Sequence, residues 1–186
     1  MILVYGGGAS GKSEYAEQLV SAEGYGRKYY LAAMERMGAE AEQRIERHRK
    51  KRAGKGFLTL ECPRDIASAA EIVRDAEQAA ALLECISNLT ANELFSTDGT
   101  MGDTEETADK IVEDVLTLDE RFGRLVVVSN NVFEDGIQYD EWTNQYIRCM
   151  AEINQRLAAA AEEVIEVVLG IPVRIGCTAE ISTTIK

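Results

Sequence analysis

Proline, aromatic residues and long apolar runs are all scarce in this sequence. Its 186 residues include two prolines and 6% aromatics, and no apolar stretch approaches the roughly 20 residues that a membrane-spanning helix needs. We therefore expect no membrane span, no proline-rich linker, and a single domain over residues 1–186. The short apolar start lacks a basic segment before it, which favours a strand over a signal peptide. The absence of a close cysteine pair favours reduced thiols and predicts a cytoplasmic protein.

Cysteine pairs and an excess of positive charge are also missing. The four cysteines lie far apart and form no C-x-x-C pair, so neither a zinc site nor a disulfide framework is expected. Acidic residues outnumber basic ones by 32 to 20, which gives a net charge of −12. Together with the few aromatic residues, this balance disfavours nucleic acid as a partner. One segment differs, because residues 44–55 hold seven cations and one acid, which indicates a local anion site.

A glycine-rich loop near the start of the chain carries the clearest signal. Residues 6–13 read Gly-Gly-Gly-Ala-Ser-Gly-Lys-Ser, which completes the pattern G-x-x-x-x-G-K-[ST] between an apolar run, 2–5, and a helix-forming run, 13–21. This order of strand, loop and helix is typical of a phosphate-binding loop. Its glycines bring several backbone N–H groups close to one phosphate chain, and the following helix directs its N-terminus at the same phosphates. A glycine-rich turn with an accidental lysine is the alternative.

Two side chains of this loop have expected roles in binding a nucleoside triphosphate. Lys12 reaches the β- and γ-phosphates, and the Ser13 hydroxyl joins the coordination shell of Mg²⁺. We therefore predict that Lys12 is catalytic and that Ser13 is a metal ligand. The residues of the loop predicted to bind the nucleotide are Gly6, Gly7, Gly8, Ala9, Ser10, Gly11, Lys12 and Ser13.

Predicted strands and helices alternate along almost the whole chain. The strands are expected at 2–5, 28–32, 57–60, 81–86, 125–128, 164–169 and 173–175. The helices are expected at 12–22, 39–52, 64–80, 88–95, 104–121 and 140–161. Such alternation predicts an α/β fold of three layers, like that of the P-loop NTPases, with helices on both faces of a mostly parallel sheet. Because residues 170–172 turn the chain, the last strand is expected to be antiparallel to its neighbour.

Acidic residues follow two of the predicted strands. Ligands of parallel sheets bind at the carboxyl ends of the strands, which makes Glu61 and Glu84 candidate site residues. Glu84 ends an apolar strand, where a protein with a phosphate-binding loop places the acid that organises its metal. We therefore predict that Glu84 acts on Mg²⁺ directly or through water. The alternatives are an acid that caps the next turn for Glu84 and a solvated acid for Glu61.

The only histidine, His48, lies inside the basic segment. On a helix, Arg44, His48, Lys51 and Arg52 share one face. These cations favour a neutral imidazole and attract phosphate oxygens, so His48 is a candidate nucleophile at phosphorus. A solvated histidine on a charged helix explains the same pattern, and the pattern alone favours that interpretation.

Three sets of residues stand in an order and spacing shared with a known family. The first set is residues 2–13, which contain the phosphate-binding loop. The second is Tyr30-Leu-Ala-Ala followed by Arg44-Ile-x-x-His48-Arg-x-x-Arg52. The third is Leu82-Leu-Glu84-Cys, Val128-Ser-Asn130, Asn154-Gln-Arg-Leu-Ala-Ala-Ala-Ala161 and Gly170-Ile-Pro172. Together these sets resemble the bifunctional adenosylcobinamide kinase / adenosylcobinamide-phosphate guanylyltransferase family of cobalamin biosynthesis.

The resemblance implies two reactions and a covalent intermediate. The family phosphorylates the aminopropanol hydroxyl of adenosylcobinamide with ATP or GTP, and it then transfers GMP from GTP to that phosphate and releases pyrophosphate. The GMP passes through a phosphoramidate on a histidine, and His48 matches that position of the motif. The resemblance further implies Mg²⁺, a corrinoid substrate and a homotrimer. By position it also implies nucleotide contacts at Ala32, Ala33, Met34, Arg49, Lys50, Lys51, Arg52, Glu61 and Glu84.

The second half of the chain departs from the family pattern. Asn131 stands where the family usually has a glutamate after the fifth strand, and residues 138–151 replace its usual Pro-Glu and Arg-Asp-x-x-Gly segment. A lost carboxylate matters if it assisted deprotonation of the acceptor or organised a metal. Two other interpretations therefore stay open: a P-loop kinase with a different small acceptor, and a nucleotide-binding module without turnover.

Overall fold

The computed structural model describes residues 1–22, 24–35, 46, 54–96, 98–132 and 138–177. Its strands in these ranges are β1 (Ile2–Tyr5), β2 (Arg27–Ala32), β3 (Phe57–Glu61), β4 (Ala79–Glu84), β5 (Arg124–Val128), β6 (Glu163–Val168) and β7 (Ile171–Cys177). Its helices there are α1 (Lys12–Ala22), α2 (Ser68–Ile72), α3 (Ile86–Leu94), α4 (Thr104–Arg121) and α5 (Glu141–Ala160), with a 3₁₀ turn at Ala76–Gln78. Apart from residue 46, the predicted helix at 39–52 lies outside the described residues.

The seven strands found in the described ranges form one sheet in the order β3-β2-β4-β5-β1-β6-β7. All neighbouring pairs from β3 to β6 are parallel, and β7 pairs antiparallel with β6. The predicted sheet, mostly parallel with one antiparallel last strand, is confirmed. Among the described helices, none has the length and apolar character needed to cross a lipid bilayer.

Alternate residues of the strands supply two separate cores. Val4 packs with Val20 of α1 on one face of the sheet. Leu3, the preceding residue, packs on the other face in a core that includes Ile111 of α4 and Ile153 of α5. Since successive side chains of a strand point to opposite faces, the apolar run of β1 is buried on both sides. The predicted three-layer α/β architecture follows directly.

One predicted helix is wrong over most of its length. Residues 64–80 form only the short α2 and the 3₁₀ turn, because the backbone is already extended at Val73 (φ −91°, ψ 101°). The strand β4 begins at Ala79, two residues before the predicted start. Ala79, Ala80 and Ala81 are fully buried and pair with β2 and β5. Burial in the centre of the sheet therefore outweighs the strong helix propensity of alanine.

The antiparallel hairpin at the end of the described chain is longer than predicted. β7 spans Ile171–Cys177, whereas the sequence predicted a strand over 173–175. The turn consists of Leu169 and Gly170, both at positive φ (51° and 80°), as a tight two-residue hairpin requires. Pro172 was predicted to belong to the turn, but it lies inside β7. β7 is an edge strand, where the missing N–H of a proline is tolerated.

The phosphate-binding loop packs against this hairpin, and two glycines make the approach close. A Cβ at Gly6 would lie 2.7 Å from the carbonyl oxygen of Val167, and one at Gly11 would lie 3.2 Å from Cα of Gly170. The N–H of Gly170 donates a hydrogen bond of 2.8 Å to the carbonyl oxygen of Ser10. The position of the loop thus depends on backbone contacts that a larger residue would disturb.

We predict that Gly6→Ala destabilises the fold and that Gly7→Ala does not. The added methyl group at Gly6 meets a backbone oxygen, and such overpacking costs about 1–3 kcal/mol. A Cβ at Gly7 has no neighbour within 4 Å, so the free energy of unfolding should change by less than about 0.5 kcal/mol. Urea denaturation of the two variants and the wild type measures both values. Equal losses of stability would contradict this account of the loop.

Candidate nucleotide-binding site

The loop of residues 6–13 connects β1 to the N-terminus of α1, which begins at Lys12. Asn131 fixes the start of the loop, since its N–H donates a hydrogen bond of 3.0 Å to the carbonyl oxygen of Gly6. Ala9 takes a positive φ of 56°, so the chain folds back on itself between the strand and the helix. This geometry directs the unpaired N–H groups of the first helical turn towards the carboxyl edge of the sheet, where an anion can bind.

Lys12 is the buried cation of the loop. Its side chain is only 8% exposed, and its Nζ donates a hydrogen bond of 2.9 Å to the carbonyl oxygen of Gly7. Burial lowers the pKa of Lys12 from its ordinary value, whereas the neighbouring Cys85 and Glu84 act in the opposite direction. A partly desolvated ammonium group interacts more strongly with a phosphate than an exposed one does.

Glu84 is held by two hydroxyl groups. The Ser13 hydroxyl donates a hydrogen bond to its Oε1, and the Tyr30 hydroxyl donates one of 2.9 Å to its Oε2. Tyr30 is buried, with 4% exposure, and its ring contacts Phe57 edge to face. The carboxylate at the end of β4 is thus joined to the first turn of α1 and to the neighbouring strand β2.

The oxygen atoms of Ser13 and Glu84 suit Mg²⁺, which prefers hard oxygen ligands and keeps several waters or phosphate oxygens in its shell. Among the described residues, no group of three or more His, Cys, Asp or Glu side chains is placed so that it could hold a metal ion. The Ser13 hydroxyl and the Glu84 carboxylate are therefore the candidate protein ligands for a metal beside the phosphate-binding loop. This set fits a metal that reaches the protein together with a triphosphate.

These side chains line a cavity of about 490 Å³ at the carboxyl edge of the sheet. Eight of its lining residues are predicted site residues: Gly8, Ala9, Lys12, Ser13, Ala32, Met34, Glu61 and Glu84. Five other predicted residues do not line this cavity: Gly6, Gly7, Ser10, Gly11 and Ala33. The remaining ones lie outside the described residues: His48, Arg49, Lys50, Lys51 and Arg52.

Ala33 does not line the cavity as Ala32 and Met34 do, and both of its backbone polar groups are paired. Its N–H donates a hydrogen bond of 3.1 Å to the carbonyl oxygen of Glu84. Its carbonyl oxygen accepts one of 2.7 Å from the side-chain amide of Asn92. The predicted contact of Ala33 with a nucleotide stays a prediction, while its observed role is to fix β2 beside β4.

The site predicted from the sequence lacked eight residues that also line the cavity. They are Tyr30, Cys85, Ser87, Asn88, Val128, Asn130, Asn131 and Val132. Most of them follow the carboxyl ends of β4 and β5, and that position was the available signal. The side-chain amide of Asn130 donates a hydrogen bond to the Ser87 hydroxyl, and Cys85 Sγ lies 3.0 Å from the same hydroxyl. These contacts join the ends of the two strands into one wall of the cavity.

The cysteine in that wall is a neutral thiol rather than a nucleophile. Burial is the main cause that raises the pKa of Cys85 above its ordinary value, although its hydrogen bond to Ser87 acts in the opposite direction. A nucleophilic cysteine requires the reverse, a lowered pKa that yields thiolate near neutral pH. Cys85 therefore contributes shape and weak polarity to the cavity.

The fold and the loop together define a P-loop nucleotide-binding protein. A model of the family described as cobinamide kinase / cobinamide phosphate guanyltransferase matches residues 2–175. The chain therefore belongs to this family.

Two relatives support the same assignment. The bifunctional adenosylcobalamin biosynthesis protein CobU of Salmonella typhimurium (strain LT2) is 34% identical over 185 residues, which cover 94% of this chain and 99% of that protein. The protein of the same name from Escherichia coli (strain K12) is 31% identical over 183 residues, with the same coverage of 94% and 99%. The resemblance inferred from the three sets of motifs is confirmed.

Among solved structures, the flagellar accessory protein FlaH from Methanocaldococcus jannaschii aligns with a TM-score of 0.45 and 11% identity. The alignment covers 89% of this chain and 69% of that chain. The three-layer fold is assigned from the order of the strands and from the helices on both faces of the sheet, and this weak likeness adds nothing to it.

We predict that Tyr30→Phe weakens binding of a divalent metal together with GTP. The change removes one hydrogen bond to the Glu84 carboxylate and keeps the ring that packs on Phe57. The loss of such a bond should raise the dissociation constant of Mn²⁺ in the presence of GTP about three- to tenfold. The spin resonance signal of free Mn²⁺ measures this constant in a titration.

The matched control is Tyr29→Phe. Tyr29 is the adjacent residue of β2, and its ring packs against Phe122 in the core on the opposite face of the sheet. Its variant should bind Mn²⁺ and GTP like the wild type. If both variants bind equally well, the hydroxyl of Tyr30 does not position Glu84 for a metal.

Proposed function

We propose that this chain phosphorylates adenosylcobinamide and then transfers GMP from GTP to the adenosylcobinamide phosphate. Membership of the cobinamide kinase / cobinamide phosphate guanyltransferase family supports this function. The observation that carries it is the meeting of Lys12, Ser13 and Glu84 at one cavity, where a triphosphate and its metal can be held beside an acceptor.

In the proposed site, Lys12 binds the β- and γ-phosphates, and the N-terminus of α1 binds the same phosphates through backbone N–H groups. Ser13 and Glu84 would hold Mg²⁺, which when bound neutralises charge on the phosphate oxygens. Tyr30 keeps the Glu84 carboxylate in place through its hydrogen bond of 2.9 Å. Ala32, Ala33, Met34 and Glu61 are the proposed contacts of the rest of the nucleotide.

The first proposed reaction is phosphoryl transfer. The aminopropanol hydroxyl of the acceptor attacks the γ-phosphorus of ATP or GTP, and its proton passes to solvent. A new P–O bond forms on the acceptor, while the bond from the γ-phosphorus to the bridging oxygen breaks. The nucleoside diphosphate leaves. Lys12 contributes by balancing the charge on the transferred group.

The second proposed reaction passes through His48. A nitrogen of its neutral imidazole attacks the α-phosphorus of GTP, forms a P–N bond and expels pyrophosphate. A phosphate oxygen of the phosphorylated acceptor then attacks the same phosphorus. The P–N bond breaks, the imidazole is restored, and the product carries GDP. The cations Arg49, Lys50, Lys51 and Arg52 are the proposed partners of the phosphates in this step.

We also propose a cytoplasmic homotrimer. The β6–β7 hairpin supports assembly between copies, because its apolar side chains are widely exposed: Val168 46%, Leu169 90%, Ile171 64%, Val173 47% and Ile175 57%. Exposed apolar surface of this kind marks an interaction site. Sedimentation of the purified chain measures the number of copies in the assembly.

A kinase with a different acceptor, or a binding module without turnover, is the second candidate. Asn131 favours it, because this residue lines the cavity at the position where the family usually has a glutamate. An amide cannot accept the proton of an acceptor hydroxyl as a carboxylate does.

The test of the proposed function is covalent labelling. The wild-type protein is incubated with Mg²⁺ and GTP labelled in the α-phosphate, and it is then separated on a denaturing gel. We predict label that survives alkali and is lost in acid, because a phosphoramidate behaves in this way. His48→Ala should carry no label.

The labelling control is GTP labelled in the γ-phosphate, which should leave the protein unlabelled because that phosphate departs with pyrophosphate. Wild-type protein that binds GTP and takes up no α-label would overturn the guanylyltransferase function. The second candidate would then be favoured.

A further inference from the structure

We propose that three aromatic residues, Phe95, Trp142 and Tyr146, form the subsite that holds the flat, conjugated part of the acceptor. We call these residues the aromatic ledge. The inference rests on the proposed function and adds a binding site to it. None of the three residues was among the site residues predicted from the sequence.

The geometry of the aromatic ledge leaves one large ring surface open. The rings of Phe95 and Trp142 are nearly parallel, with an interplanar angle of 8° and 6.1 Å between their centroids. The ring centroids of Tyr146 and Phe95 are 6.4 Å apart. Phe95 and Tyr146 are partly buried against the core, whereas Trp142 is 50% exposed. An indole supported on one side by a phenyl ring therefore presents a flat apolar surface to a ligand.

A hydrogen bond from Tyr146 connects the aromatic ledge to a residue of the cavity wall. The Tyr146 hydroxyl donates one of 3.1 Å to the carbonyl oxygen of Ser87, and Ser87 lines the cavity. Trp142 precedes Tyr146 by four residues on α5, which is about 6 Å along a helix. Because α5 leads from β5 back to the parallel strand β6, its N-terminus lies at the carboxyl edge of the sheet. Trp142 and the cavity thus share this edge.

The aromatic ledge and the phosphate-binding loop approach the cavity from opposite faces of the sheet. α1 packs in the core that contains Val4, whereas Phe95 and Tyr146 pack in the core that contains Leu3. A donor triphosphate on the loop therefore leaves the side of the aromatic ledge open. An acceptor held there can direct its reactive end across the edge to the phosphates.

The chemistry of the cavity wall suits a corrinoid. A corrinoid combines a conjugated macrocycle with a fringe of carboxamides, and its adenosylated form adds a planar base. Three asparagines, Asn88, Asn130 and Asn131, line the cavity together with Ser87, and side-chain amides both donate and accept hydrogen bonds. Stacking of a planar base on an aromatic side chain contributes to affinity whatever the base.

The size of the aromatic ledge argues against a protein partner. A stable protein interface covers about 800 Å² on each side. An aromatic side chain offers about 150–250 Å² in total, and only Trp142 is half exposed. The aromatic ledge is therefore large enough for one planar ligand and too small to hold two chains together. The exposed β6–β7 hairpin is the larger apolar surface.

Trp142→Ala tests the inference, with Trp142→Phe and Ile72→Ala as controls. Equilibrium dialysis with adenosylcobinamide, followed by its visible absorbance, gives the dissociation constant in the absence of nucleotide. We predict at least about fivefold weaker binding for Trp142→Ala and nearly normal binding for Trp142→Phe, which keeps an aromatic surface. Ile72 is also exposed, at 62%, but lies on α2, and Ile72→Ala should bind like the wild type.

The steady-state constants provide a second readout. Trp142→Ala should raise the KM for adenosylcobinamide and leave the KM for GTP unchanged, since the aromatic ledge contacts only the acceptor. Unchanged dissociation constants and KM values in Trp142→Ala would overturn the subsite while the proposed function stands. If the wild type neither binds nor phosphorylates adenosylcobinamide, the proposed function fails first. A change in the sedimentation of Trp142→Ala without a change in acceptor binding would assign the surface to assembly and overturn the inference.

Discussion

The contact between the Ser13 hydroxyl and the Glu84 carboxylate is the interaction on which the site depends. Glu84 ends β4, and Ser13 lies in the first turn of α1, which follows β1. In the sheet, β5 lies between β4 and β1. The registers place Glu84 level with Val128, and Val128 level with Val4. Adjacent strands are about 4.8 Å apart, and the turn from β1 into α1 must span two such steps. The close packing of Gly6 against Val167 fixes the path of the loop across these two steps.

The same edge of the sheet explains how donor and acceptor can meet. The loop and Lys12 approach it from the face of α1, and the side-chain amides of Asn88 and Asn130 approach it from the ends of β4 and β5. The helices α3 and α5 extend that wall to the aromatic ledge. In the proposed function one cavity serves two transfers, because each transfer is proposed to begin with a triphosphate on this loop. Asn131 lines the same cavity, and its N–H holds Gly6 at the start of the loop.

Much of the fold could be predicted from the sequence, because the decisive signals are local. The loop of residues 6–13, the alternation of strands and helices, and the acid at Glu84 are all visible as short patterns. The strand at Ala79–Ala81 was not visible, since only burial between two neighbouring strands overrides the helix propensity of alanine. Tyr30 was missed for a similar reason: its hydroxyl matters through a residue 54 positions away. The aromatic ledge combines Phe95 with Trp142 and Tyr146 of α5. These residues are far apart in the sequence, so no short sequence pattern predicts their contact.

The central claim is that one metal and nucleotide centre, organised by Glu84, serves both transfers. Glu84→Gln keeps the size of the side chain and removes its charge. The most direct measurement is the mass of the corrinoid after incubation with GTP, Mg²⁺ and adenosylcobinamide, and separately with adenosylcobinamide phosphate. The account predicts that the wild type adds phosphate and then GMP to the first substrate and GMP alone to the second, and that Glu84→Gln slows both transfers at least about a hundredfold. Either transfer at the wild-type rate in Glu84→Gln would contradict it.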